Sequence, residues 1–257
     1  MSNVEIEATL AICSSAPEPI ANELAGLRAV GRYQLMPRPE LAILDVYLDL
    51  ADHALRSRGF GLRVRRIDDS PLITLKGRPE AVAGGGRRRE ETELAWSEDA
   101  LNSIVERLAK AGLALVLPEE VFEWNDPLTV LSQMGLIAEH KRNTRRRPRD
   151  VTSDGISTSV VAELVVDSVS FQFQCGDVRH HEIEIETKGE GGIVAMQQVS
   201  EELLARWPKA LRIWDHGKRS TGKAVEALIA EHGTKGLISE TGDLVPQAYD
   251  LIASRLL

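Results

Sequence analysis

Between Phe60 and Glu93 the chain alternates charged and uncharged residues in a way that few folds can accommodate. Arg63 and Arg65 alternate with Leu62 and Val64, Thr74 and Lys76 alternate with Ile73 and Leu75, and Arg87, Arg89, Glu91 and Glu93 share one parity. Successive side chains of a strand point to opposite faces, so each stretch has one charged face, and the first two also have an apolar one. A half-solvated antiparallel sheet alternates in the same manner. Water, however, does not require charges to be sorted, and here cations come first and carboxylates follow. The sorting points to a sheet whose charged face looks inward, onto a polyanion and its metal ions.

The pattern recurs along the chain. NVEIEATLAI sets Glu5, Glu7 and Thr9 against Val4, Ile6, Ala8 and Leu10, and LAILDVYLDL sets Asp45, Tyr47 and Asp49 against Leu44, Val46, Leu48 and Leu50. TSVVAELVVDSVSFQF places Glu163, Val165 and Asp167 on one parity, and RHHEIEIETKG alternates Glu182, Glu184 and Glu186 with Ile183 and Ile185. Three glutamates along one strand face repel one another unless water or cations screen them, so this strand is either a metal-ligating one or a solvated edge. LIAEHKRNTRRRPRD carries Lys141, Arg142, Arg145, Arg146 and Arg147. A strand turns only alternate members inward, and Lys141, Asn143 and Arg145 are the expected inward set.

Helical spacing of Ile20, Leu24 and Leu27 predicts a helix running to Gly31, and a capped stripe of Leu101, Ile104, Val105 and Leu108 predicts another over 97–112. Further helices are expected at about 192–206, 219–231 and 243–255. Asp68 to Pro71 reads as a hairpin turn and Gly84 to Gly86 as a looser loop. An α+β fold satisfies all of this: an antiparallel β-barrel with a hydrated, charged interior and helices packed outside. Basic residues there suit phosphate, and carboxylates suit hard cations such as Mg²⁺ or Mn²⁺.

With 257 residues the chain fits one large domain. A formal charge of −8 argues against non-specific nucleic-acid binding, so no nucleic-acid partner is expected. The N-terminus lacks a basic leader and no run of about 18 apolar residues occurs, which predicts a cytoplasmic protein without a membrane partner. Cys13 and Cys175 have no CxxC spacing and read as buried free thiols, and the six histidines as surface or structural residues. GKRSTGKA at 217–224 nearly fits a P-loop, but Ala224 stands where Mg²⁺ needs a hydroxyl and no βαβ succession surrounds it.

Taken in order, EIE, YLDL, GFGLRVRR, TLKG, REETE, a basic strand, an acidic strand and EIEIE resemble the CYTH superfamily, the triphosphate tunnel metalloenzymes. The resemblance runs to about residue 230 and implies a tunnel domain over 1–232 with a C-terminal helical extension over 233–257. It implies an eight-stranded tunnel and a metal-dependent triphosphatase acting on a small triphosphate, inorganic tripolyphosphate first, with Mg²⁺ or Mn²⁺ as cofactor. Thiamine triphosphatase or adenylyl cyclase chemistry, or a non-catalytic polyphosphate or nucleotide binder, are the alternatives. Carried over by motif, Glu5, Glu7, Glu91, Glu93, Glu182 and Glu184 are the implied metal ligands, with Glu184 and Glu186 as another choice for the last pair. Arg63, Arg65, Lys76, Arg89, Lys141, Arg145 and Lys218 are the implied substrate-binding set, and Glu5, Glu7, Lys76 and Arg89 the catalytic one. Thr9 departs from the pattern, because the family motif ends there in lysine. Losing that cation is expected to slow phosphoryl transfer, and Thr9→Lys to raise turnover.

Overall fold

Wherever apolar and polar residues alternate, the backbone is extended. The computed structural model describes residues 3–68, 70–82, 86–117, 124–153 and 159–256, so Asp69, Gly84 and Gly85 of the expected turns lie outside the described residues. The strands are β1 (Asn3–Ile12), β2 (Ala29–Val30), β3 (Tyr33–Pro37), β4 (Leu41–Leu50), β5 (Gly61–Ile67), β6 (Ser70–Lys76), β7 (Glu80–Val82), β8 (Gly86–Ala95), β9 (Leu136–Ser153), β10 (Val160–Phe173), β11 (Gly176–Thr187) and β12 (Leu211–Ile213). The helices are α1 (Pro17–Gly26), α2 (Ala54–Ser57), α3 (Glu98–Lys110), α4 (Pro127–Gln133), α5 (Gly192–Arg206), α6 (Lys218–His232) and α7 (Ala248–Leu256).

Hydrogen bonding follows the order β10-β11-β1-β8-β6-β5-β4-β9, and β10 also pairs with β9, so eight strands form a ladder that returns on itself. The pairs β1–β11, β10–β11, β4–β5, β5–β6 and β6–β8 are antiparallel. This is the antiparallel β-barrel of the α+β class that the alternation predicts, with the eight strands that the family resemblance implies. No helix among the described residues is long and apolar enough to cross a membrane.

The chain divides into two compact units. The first comprises Met1–Val4, Ile43–Glu80 and Arg89–Arg142. Its core joins Leu48, Leu62, Val64, Ile73 and Leu75 of the strands to Leu101, Ile104 and Leu108 of α3 and Val130 and Leu131 of α4. Helix α3 forms because its apolar residues recur at helical spacing and Ser97 caps it, the side chain accepting from the Ala100 N–H at 3.1 Å.

The second unit comprises Glu5–Ala42, Ala81–Arg88 and Asn143–Leu257. One face of β1, β10 and β11, with Leu10, Leu164, Val166, Ile183 and Ile185, packs with Leu24 of α1 and Met196, Val199 and Leu203 of α5. A second cluster joins Ala11 and Val178 to Trp214, Val225 and Leu228, and to Leu244, Tyr249 and Ile252. Ala11 and Val178 have the parity of Thr9 and Glu182, so this apolar cluster covers one end of the charged face of β1 and β11.

Three expectations change. Helix α1 stops at Gly26, and Ala29 and Val30 form β2 instead of a last helical turn. The last helix begins at Ala248 because Asp243 bridges Arg179 and Pro246 disfavours helix in the residue before it. Cys175 is exposed rather than buried, since it lies in the short turn between β10 and β11, where Gly176 takes φ +115°. Cys13 is half-buried.

Candidate functional site

In the first unit the registers Asp45 to Arg65, Tyr47 to Arg63, Arg63 to Thr74, Thr74 to Glu93 and Lys76 to Glu91 gather the charged parity of β4, β5, β6 and β8 on one face. Asp45 is the hub. It accepts from Arg65 Nε at 2.8 Å and from Arg142 Nη2 at 2.7 Å, and Arg63 Nη1 lies 3.6 Å away. Burial raises the Asp45 pKa, but Arg63, Arg142 and Arg65 outweigh it and hold the carboxyl well below its usual range. Arg63 also donates to Glu93 at 3.1 Å and to Glu91 at 3.4 Å, and Lys76 Nζ is 2.7 Å from Glu91. Arg89 is half-buried in the same unit.

This face was expected to be hydrated, and the structure shows it largely dry: Asp45, Arg63 and Arg142 are 1%, 3% and 2% exposed. Charges removed from water persist only when paired, so each carboxylate is shared among several cations. Among the described residues, ion pairs set four cations, Arg63, Arg65, Lys76 and Arg142, against three carboxylates, Asp45, Glu91 and Glu93. The surplus falls on Tyr47, whose hydroxyl accepts from Arg142 at 3.2 Å and Arg63 at 3.5 Å. Burial raises its pKa, but Arg142 and Arg63 bring it down to about 7.

In the second unit, Glu7, Thr9 and Ala11 of β1 oppose Glu186, Glu184 and Glu182 of β11, which in turn oppose Glu163, Val165 and Asp167 of β10. Asp167, Glu182 and Glu184 bring carboxylate oxygens within 4.8 Å of one another. Arg146 Nη2 lies 2.7 Å from both Asp167 and Glu184. The Lys218 ammonium, at the first turn of α6, is 3.0 Å from Asp167 and 2.7 Å from Glu184, and it also contacts Glu182. Burial opposes the Lys218 charge, but Glu182, Glu184 and Asp167 outweigh it and raise its pKa. Burial pushes the Asp167 carboxyl up, while Arg146 and Lys218 bring it below its usual range. Glu186 moves the other way: burial, opposed by Lys188 and reinforced by Glu5 and Glu163, raises it.

Beside these, Glu7 is buried, and Arg87 Nη2 donates to it at 3.3 Å and to the Thr9 hydroxyl at 3.0 Å. The threonine therefore has a guanidinium against it. Lys141 and Arg145 are exposed, and Arg145 pairs with Glu40 at 2.7 Å. The inward basic residues of β9 are Arg142 and Arg146, of the opposite parity, because Asp45 and Asp167 supply their counter-charges. The near-P-loop is no loop, since Ser220, Gly222 and Lys223 lie inside α6.

Comparison with known protein families matches residues 36–204 to the CYTH domain. The chain belongs to the CYTH family. Among solved structures, a candidate adenylyl cyclase from Hippeastrum, HpAC1, described as having a dominant triphosphatase activity, aligns with 86% of this CYTH chain and 95% of its own at 16% identity and TM-score 0.54. A candidate adenylate cyclase from Bacillus halodurans aligns at 16% identity and TM-score 0.47, covering 84% of this chain and 96% of that one. The S. pombe Pct1 RNA triphosphatase aligns at 11% identity and TM-score 0.38, covering 79% and 78%. No curated protein sequence matches the chain.

Of the carboxylates implied as metal ligands, this CYTH chain brings Glu182 and Glu184 together with Asp167, whereas Glu91 and Glu93 face Lys76 and Arg63. Glu5 is half-buried in β1, near enough to Glu186 to affect its charge. Asp167 was visible as the parity partner of Glu163, and Arg87 as that of Arg89. A second group, Asp49, His53 and Glu139, is structural, because Asp49 accepts the N–H groups of Leu50, Leu55 and Arg56 at the start of α2.

Tyr47 gives a direct readout. Its folded pKa of about 7 lies below the unfolded value of about 10, so its stabilising contribution grows as pH rises from about 7 to about 10 and is lost as pH falls through 7. Tyrosinate absorbance in the folded protein is expected to show an ionisation near pH 7 that disappears in Tyr47→Phe. A Tyr47 phenol that stays neutral to pH of about 10 would contradict the assignment.

Proposed function

We propose that this CYTH protein hydrolyses a triphosphate, inorganic tripolyphosphate first among the candidates, with Mg²⁺ or Mn²⁺ held by Asp167, Glu182 and Glu184. The observation that carries the reading is that group of three carboxylates, flanked by Arg146 and Lys218. The donor set fits the ion: all ligand atoms are carboxylate oxygens, as hard divalent cations require, and the oxygens already attract an ammonium. When bound, such a cation neutralises phosphate oxygens and lowers the pKa of a water molecule.

The protein's own groups supply the rest. Lys218 contacts the same carboxylates that would hold the metal, and with the metal there its ammonium would serve as a phosphate-oxygen donor beside Arg146. Glu5 and Glu7 extend the acidic set on β1. Arg63, Arg65 and Lys76, with Arg89, suit phosphate through the positive surplus of their cluster, and Glu91 and Glu93 hold those side chains in place. These are charged groups that read phosphate oxygens rather than an organic ring, which favours the inorganic substrate. Lys141 and Arg145, at the surface, have no part in this reading. The seat of Lys218 also supports a second reading, a binder in which the ammonium permanently replaces the metal.

An assay of tripolyphosphate, thiamine triphosphate and ATP with Mg²⁺ and Mn²⁺ separates the two. Metal-dependent phosphate release from tripolyphosphate is expected, falling about 10²-fold in Glu184→Gln. Tripolyphosphate binding without release under either metal supports the binder instead, and cyclic AMP from ATP supports a cyclase.

Arg87 is proposed to carry the charge that Thr9 lacks. Arg87→Ala is expected to cut turnover by about 10²-fold, and Thr9→Lys to restore part of it in that background. If Arg87→Ala is silent while Thr9→Lys alone speeds the reaction, position 9 lacks a cation after all.

A further inference from the structure

The adjacent histidines of β11 both contact the last part of the chain, which lies beyond the matched CYTH region. His181 Nε2 is 3.1 Å from Asp243, and Arg179 donates to the same carboxylate at 2.9 Å. His180, fully buried, projects from the opposite face. Its Nε2 is 2.7 Å from Glu182 Oε2, and its Nδ1 is 3.0 Å from the Tyr249 hydroxyl of α7. Phe171 stacks on the imidazole with ring planes 11° apart, and Trp214 meets the Tyr249 ring edge-on at 5.4 Å.

Hydrogen-bond chemistry fixes a direction in this chain. A carboxylate only accepts, so Nε2–H donates to Glu182. With the ring proton on Nε2, Nδ1 accepts a hydrogen bond from the Tyr249 hydroxyl, whose other acceptor, the Ile12 carbonyl, is farther away at 3.4 Å. Burial, with Cys13 and Glu182 nearby, raises the Tyr249 pKa well above its ordinary value, so the phenol remains a donor.

We propose that Tyr249 is a positioning residue for the metal centre: acting through His180, it fixes the orientation of Glu182, and residues 243–256 thereby complete the carboxylate group. The inference rests on the reading of Asp167, Glu182 and Glu184 as metal ligands. Without the Tyr249 hydroxyl, the buried Nδ1 loses its partner and the imidazole one of the two contacts that set its tilt, so the Nε2–H that holds Glu182 is no longer fixed in direction. Partners of metal ligands typically change affinity by about 10- to 100-fold when removed.

The test is titration of Mn²⁺ alone, followed by the paramagnetic resonance of the free ion, in the full chain and its variants. Tyr249→Phe keeps the ring against Trp214 and is expected to weaken Mn²⁺ binding about 10-fold with little change in melting temperature. The same change in a His180→Phe background is expected to add nothing, which separates action through His180 from loss of packing. If Tyr249→Phe does not fold, His180→Gln serves, with the same weakening expected. Wild-type affinity in Tyr249→Phe, or in His180→Gln where that variant is used, overturns the positioning role while leaving the metal reading intact, provided Glu182→Gln loses the ion. If the natural protein binds no Mn²⁺, or Glu182→Gln binds it equally well, the metal reading falls and this inference with it.

Discussion

Three carboxylates, two buried and the third half-buried, cannot share a few ångströms of protein without cations among them. Asp167, Glu182 and Glu184 meet that constraint through Arg146 and Lys218, and the local structure follows from it. Register on β10 and β11 places the acids side by side, β9 turns Arg146 toward them, and α6 begins where its first residue reaches them. The same rule operates in the first unit with the signs exchanged, where Arg63, Arg65 and Arg142 converge on Asp45. Such networks add little net stability over an apolar core, yet losing one member leaves a buried charge uncompensated.

The two clusters carry opposite imbalances of charge. One is anionic and holds an ammonium where a divalent cation fits, and the other has more cations than carboxylates and recruits a phenol to balance them. Thr9, where the sequence departs from the family motif, has the Arg87 guanidinium against its hydroxyl.

Period-two alternation made β1 and β4 legible at their observed bounds, because strand geometry imposes that period locally. It could not orient β9, where basic residues occupy both parities, and the choice between Arg142 and Lys141 is made by Asp45, 97 positions away. The same limit hid the histidines. His180 and His181 face opposite ways, as adjacent strand residues must, but Tyr249 and Asp243 lie on a segment whose helix was expected to begin five residues early. Hydration of the charged faces was misjudged because alternation says which side chains share a face and not whether they neutralise one another.

The central claim is that a divalent cation occupies the group formed by Asp167, Glu182 and Glu184. Anomalous diffraction from crystals soaked in Mn²⁺ tests it most directly. The account predicts an anomalous peak bonded to these three carboxylates, with the Lys218 ammonium withdrawn from them. Crystals in which Lys218 keeps its contacts with Asp167, Glu182 and Glu184, and in which no Mn²⁺ lies among those carboxylates, would contradict it.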